Sequence, residues 1–141
     1  MTVLCLTIQC LALAVMMQQL ARRERRGKIV SNLWGAIQVL TLVTLIIFVG
    51  NLLQIGLWAM LFVFIGEFTE LTTAFYHSLV NFTTLGYGDI VMSKERRMLG
   101  ALEALNGVLM IGLSTATLFA VLSQILEQAW ASEDRSLRKG S

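Results

Sequence analysis

Residues 83–89 read TTLGYGD. Two glycines enclose a tyrosine, two threonines precede them, and an aspartate closes the run. The surrounding sequence is oily: 56% of the 141 residues are hydrophobic, 14% are charged and none is proline. Glycine reaches left-handed backbone at little steric cost. An ordinary strand alternates its carbonyls. A run that turns successive carbonyls to one side needs left-handed residues, and Gly86 and Gly88 have the every-second-residue spacing such a run demands. Carbonyls so arranged can replace the water around an ion. Tyr87 between them then points outward into protein as a spacer, and the Thr84 hydroxyl offers one more oxygen at the inner end.

The rest of the chain supplies the setting. Charges bunch at 22–28, 67–70, 89–103 and 127–139. A soluble domain of this length needs a more polar surface, so the pattern implies an integral membrane protein. A net charge of +2 is too small to suggest nucleic acid. Cys5 and Cys10 both lie in the first apolar segment and read as lipid-buried thiols. With a single histidine and no CxxC pattern, neither a disulfide nor a metal pair is expected. No nucleophile–base set and no nucleotide-binding glycine loop stands out, so an enzyme is not expected.

Residues 1–21 carry no charge and are long enough to cross a bilayer. They lack the basic start and small-residue cleavage site of a signal peptide. RRERRGK at 22–28 reads as a cytoplasmic loop, which puts the N-terminus outside. Residues 29–66 are uncharged throughout. As one helix they would reach about 57 Å at about 1.5 Å per residue, roughly twice the hydrocarbon core. Two spans split near Gly50-Asn51 are the alternative, but FVGNLLQ offers only a weak turn. One long outer helix is preferred, tilted or kinked, with its first turns and Trp34 at the interface. Residues 70–89 hold a helix of about 71–82, following a Thr69 N-cap, and then the glycine run. That helix is too short to span, so the segment reads as a re-entrant loop, tolerated at membrane depth where it is buried in protein or lines water. Residues 98–130 form the last helix, and 131–141 a short tail.

The heptapeptide after a short aromatic helix resembles the selectivity filter of the potassium-channel pore family, and the similarity covers roughly 50–125. The resemblance implies an all-α membrane fold: outer helix 29–66, pore helix and filter 70–89, inner helix 98–130, with residues 1–21 as one extra N-terminal transmembrane helix. It implies a homotetramer in membrane lipid, because one filter strand cannot encircle an ion. K⁺ is then the permeant ion, held by the carbonyls of Thr84, Leu85, Gly86, Tyr87 and Gly88 in stacked rings. The pore helix aims its negative end at the cation. Asp89 at the outer mouth is braced by an aromatic residue of the pore helix, for which Tyr76 is best placed. Leu85 departs from the family's usual valine or isoleucine and is expected to pack behind the filter. Tyr76-His77 stand where paired tryptophans are common, Val80 where some relatives carry a buried glutamate, and no proline follows the aspartate.

In the inner helix Gly112 aligns best with the family's hinge glycine, and Gly107 is the alternate; either also suits close helix packing. Ser114 and Thr115 are candidates to face the aqueous cavity. Glu103 reads as an interfacial residue or as a hydrogen-bonded group behind the filter. His77 reads as an external pH sensor or as a hydrogen-bonded histidine behind the filter. No span carries regularly spaced arginines, so an arginine-type voltage sensor is not expected. The expected function is a potassium-selective channel. A weakly selective cation channel and a non-conducting channel subunit are the alternatives.

Overall fold

A computed structural model describes residues 2–25 and 33–140. They form four helices and no strand: α1 Thr2–Arg25, α2 Leu33–Phe64, α3 Leu71–Phe82 and α4 Arg97–Gly140. The first residues of the basic loop continue α1. The remainder of that loop and residues 29–32 lie outside the described residues.

α2 is apolar on every side, as suits a helix surrounded by lipid and protein. It runs unbroken through Gly50-Asn51, which excludes the two-span alternative for this stretch. Within α2 and α4, Trp34–Phe64 and Arg97–Trp130 are long and apolar enough to cross a membrane. The apolar part of α1, Thr2–Val15, is shorter. Among the described residues the fold is all-helical, with two helices of membrane-crossing length.

Two apolar clusters hold the helices together. One joins Cys5 of α1, Ile55, Trp58, Ala59 and Phe62 of α2, Ala74 and Phe82 of α3, and Met110 of α4. The other joins Val39, Val43 and Ile47 of α2 to Val121 and Ile125 of α4, with Leu13 of α1 packed against it. These pairings make α2 antiparallel to α4 and set α1 alongside both. Cys5 is therefore buried by protein rather than by lipid, whereas Cys10 is exposed; only the second matches the expectation of a lipid-facing thiol.

α3 nests between α2 and α4 through Ala74, His77, Ser78, Val80 and Phe82. The first four of these lie one helical turn apart or nearly so, a stripe suited to a helix packed on one side. Its N-cap is Glu70, not Thr69, and no side chain caps it. The chain enters in extended backbone, and the first helical bond runs from Ala74 N–H to Glu70 O at 3.1 Å. Gly107 fixes how closely α4 meets the end of α3. A Cβ there would overlap the carbonyl of Phe82, so only glycine permits this approach.

Candidate functional site

The end of α3 generates the site. Thr83 stays right-handed, with φ −79°, and Thr84 then flips to φ 59°. Thr84 N–H reaches back to Asn81 O at 2.9 Å and Leu85 N–H to Val80 O at 3.0 Å. This is a Schellman ending, with Thr84 at the left-handed position where glycine is usual. Left-handed backbone is a steric outlier for a β-branched residue and costs about 1–2 kcal/mol. Strain of this kind persists where the surroundings over-determine it and clusters at functional sites.

Gly86 and Gly88 follow at φ 58° and 76°. Left-handed residues thus recur at 84, 86 and 88. The sequence marks the two glycines, but threonine carries no such signal, so the first member of the series is visible only in three dimensions. The side chains of this segment are exposed in the single chain. Leu85 is 56% and Tyr87 68% accessible, so the chain itself leaves most of each side chain uncovered. The Thr84 hydroxyl donates to Thr83 O at 2.7 Å and keeps its lone pairs free.

Behind the segment lies a cleft lined by Tyr76, His77 and Asn81 of α3, Asp89, and Gly100 and Ala101 of α4. Tyr76 Oη donates to Asp89 Oδ2 at 2.7 Å, and Ile90 N–H donates to Asp89 Oδ1 at 3.0 Å. The tyrosine hydrogen bond, with Ile90 N–H assisting, holds the Asp89 carboxyl below its usual range. The same bond raises the Tyr76 phenol. His77 is 5% exposed. Its Nδ1–H donates to Ile90 O at 3.1 Å, and its Nε2 accepts from Asn81 Nδ2 at 3.0 Å. Burial lowers its basicity. His77 is thus a buried, hydrogen-bonded side chain that ties α3 to the backbone after Asp89.

A clamp unannounced by the sequence joins the chain after α2 to the chain before α4. Glu67, after α2, accepts from Ser93 N–H and from Ser93 Oγ at 2.9 Å, and pairs with Arg96 Nη1 at 3.3 Å. The Ser93 backbone hydrogen bond, with the Arg96 charge adding to it, lowers the Glu67 carboxyl. The loops on either side of the pore helix are thereby tied to each other.

Glu103 is fully buried, not interfacial. It faces Ser78 and Asn81 of α3, though neither of its oxygens makes a hydrogen bond of good geometry. Of the two hinge candidates, Gly107 is engaged in packing, while Gly112 has nothing near it. Ser114 does not face open space as expected: it is buried and bonded within the helix bundle. Thr115 is exposed, with its hydroxyl on Ile111 O at 3.0 Å.

Comparison with known proteins agrees with this arrangement. A family model described as "Ion channel" matches residues 51–124. The A-type voltage-gated potassium channels KCND3 of Rattus norvegicus, Oryctolagus cuniculus and Homo sapiens are each 32% identical over 74 residues, 52% of this chain. The chain spans only 11% of the length of these relatives. No solved structure matches. The matched stretch runs from the second half of α2 through α3 and the glycine run into α4, and the chain belongs to this ion-channel family, with the two-helix pore of potassium channels.

Proposed function

We propose that the protein conducts K⁺ selectively and passively through a homotetramer, with the segment 84–88 of four chains lining the axis. The observation that carries this reading is the left-handed backbone at Thr84, Gly86 and Gly88. Alternating hand along a chain turns successive carbonyls to one side, so Thr84, Leu85, Gly86, Tyr87 and Gly88 supply stacked oxygen rings that replace the hydration shell of the ion. Thr84 Oγ1 adds a lone pair at the inner end. Asp89, held by Tyr76, braces the outer mouth. The exposed Leu85 and Tyr87 are covered by neighbouring copies. Gly112 is the hinge of α4: glycine weakens the helix there, and unlike Gly107 it is not needed for close packing within the chain.

The membrane reading assigns 1–21 to an N-terminal transmembrane helix, 22–28 to a cytoplasmic basic loop, 29–130 to the pore domain and 131–141 to a cytoplasmic tail, with the N-terminus outside. The protein acts without catalysis, and its partners are its own copies and lipid.

The test is cation flux into liposomes bearing the purified full chain, under K⁺ or Na⁺ gradients, with Gly86→Asp as control. Potassium flux that exceeds sodium flux and vanishes in the variant supports the reading. Equal flux of the two ions replaces it with a weakly selective cation channel.

A further inference from the structure

Three helices are stitched together by a line of side-chain amides that the pore itself does not require. Gln54 Nε2 on α2 donates to Gln9 Oε1 on α1 at 3.0 Å. Gln9 Nε2 donates to Ser114 Oγ on α4 at 3.3 Å. Ser114 Oγ donates in turn to Met110 O at 2.7 Å. Donors and acceptors run in one consistent direction from α2 through α1 into α4. Gln9 is 1% exposed and Gln54 fully buried. Gly50, one turn before Gln54, leaves room for Gln9: a Cβ there would stand 4.0 Å from Gln9 Oε1. Two glutamines in an apolar interior are costly without partners, so their pairing fixes the seat of α1.

The line ends at a stretch of α4 built to bend. Gly112 lowers helix propensity, and a Cβ there would meet nothing in the chain. Ser114, Thr115 and Thr117 each bond the carbonyl four residues back. Such bonds compete with the helix ladder and favour bending. Ser114 alone among the three is also held from outside, by Gln9.

We propose that α1 is a gating element, and that Gln9 is a positioning residue which restrains the bendable stretch 110–117 of α4 through Ser114. This rests on the conducting reading above, with α4 as the helix that moves. Any bend that carries Ser114 away from α1 breaks the Gln9–Ser114 bond and takes the partner from the Gln9 Nε2 donor in an apolar interior, while Gln9 Oε1 keeps Gln54. The bond therefore weights the conformational equilibrium of α4. Polar contacts between membrane helices shift such equilibria by about threefold per chain, or about eightyfold if four chains bend together.

The experiment compares wild type with Gln9→Leu, Ser114→Ala and the double variant as single channels in planar bilayers. Gln9→Leu is expected to move open probability by about threefold or more. Ser114→Ala removes the bend-favouring bond to Met110 O together with the Gln9 bond, so the double variant should match Ser114→Ala alone, with unitary conductance and ion preference unchanged. Unchanged open probability in both single variants, or additive effects, overturns the proposal.

Hydrogen exchange of the α4 amides in the same proteins, in lipid discs, does not depend on conduction. Gln9→Leu should speed exchange across 110–117 relative to 118–126, and equal rates in wild type and variant overturn the proposal. A wild-type chain that passes no current sinks the conducting reading, while the exchange result still decides whether α1 restrains α4.

Discussion

The left-handed series at 84, 86 and 88 divides the work between two residue types. At the glycines the conformation costs little. At Thr84 it is held by the Schellman bonds to Asn81 and Val80 and is strained. Thr84→Gly is therefore expected to raise thermal stability by up to about 1 kcal/mol, while removing the hydroxyl. Melting of the detergent-solubilised protein measures the first effect and K⁺ block or conductance the second. Gly86→Ala carries the opposite sign, because a Cβ at φ 58° is strained whatever space surrounds it. The acid–base groups divide by pH. Burial lowers the basicity of His77, so the unfolded chain takes up this proton first. Stability is expected to be flat above about pH 6.5 and to fall below it, and His77→Gln should remove that slope. Glu67 is depressed in the fold by Ser93 and Arg96. Its contribution is present above the ordinary glutamate range, about 4.3, and is lost as pH falls through the lower folded value. Glu67→Gln should flatten this second, more acid limb, as read by melting temperature against pH.

At the level of elements, much of the architecture was legible in the sequence and some of it was not. Charge-free runs announce α2 and α4, because membrane helices need little else. The pore helix over 71–82 is legible because twelve apolar-rich residues between acids and glycines are too few to span. Its N-cap was not, since Thr69 carries the right chemistry but the backbone enters extended at Glu70. Ser114 reads as a cavity residue by its polarity, yet it faces α1, and no periodicity in α1 marks which side Gln9 takes. The FVGNLLQ stretch reads as a weak turn because it holds Asn51 and Gln54, whereas both residues direct polar atoms into the interior. Isolated amides inside uncharged runs were the available signal for the α1 contact. The two inner-helix glycines should separate experimentally. Gly107→Ala collides with the Phe82 carbonyl, and overpacking of this kind costs about 1–3 kcal/mol. It should lower melting temperature or abolish assembly. Gly112→Ala meets nothing, stiffens α4 by about 1 kcal/mol, and should alter open probability in single-channel records with selectivity unchanged.

On the scale of the whole molecule, the single chain leaves its chemistry facing outward. Tyr87, Leu85 and the α4 residues Leu105, Val108 and Leu109 are exposed. The proposed homotetramer would enclose the strained segment 84–88, whose Leu85 and Tyr87 side chains the single chain leaves exposed. The chain supplies the supports within itself: Tyr76 on Asp89, His77 on Ile90, Glu67 on Ser93 and Arg96. In the proposed homotetramer, further copies would supply the other side of the pore, and α1 would lie on the outside of each copy, against α4 and away from the proposed ion path. Selection of K⁺ by the backbone of 84–88 is tested most directly by the reversal potential of single channels with K⁺ on one side and Na⁺ on the other. A potassium-selective pore displaces the reversal potential far toward the K⁺ equilibrium value. A reversal potential near zero, with channels that conduct, would contradict that selection.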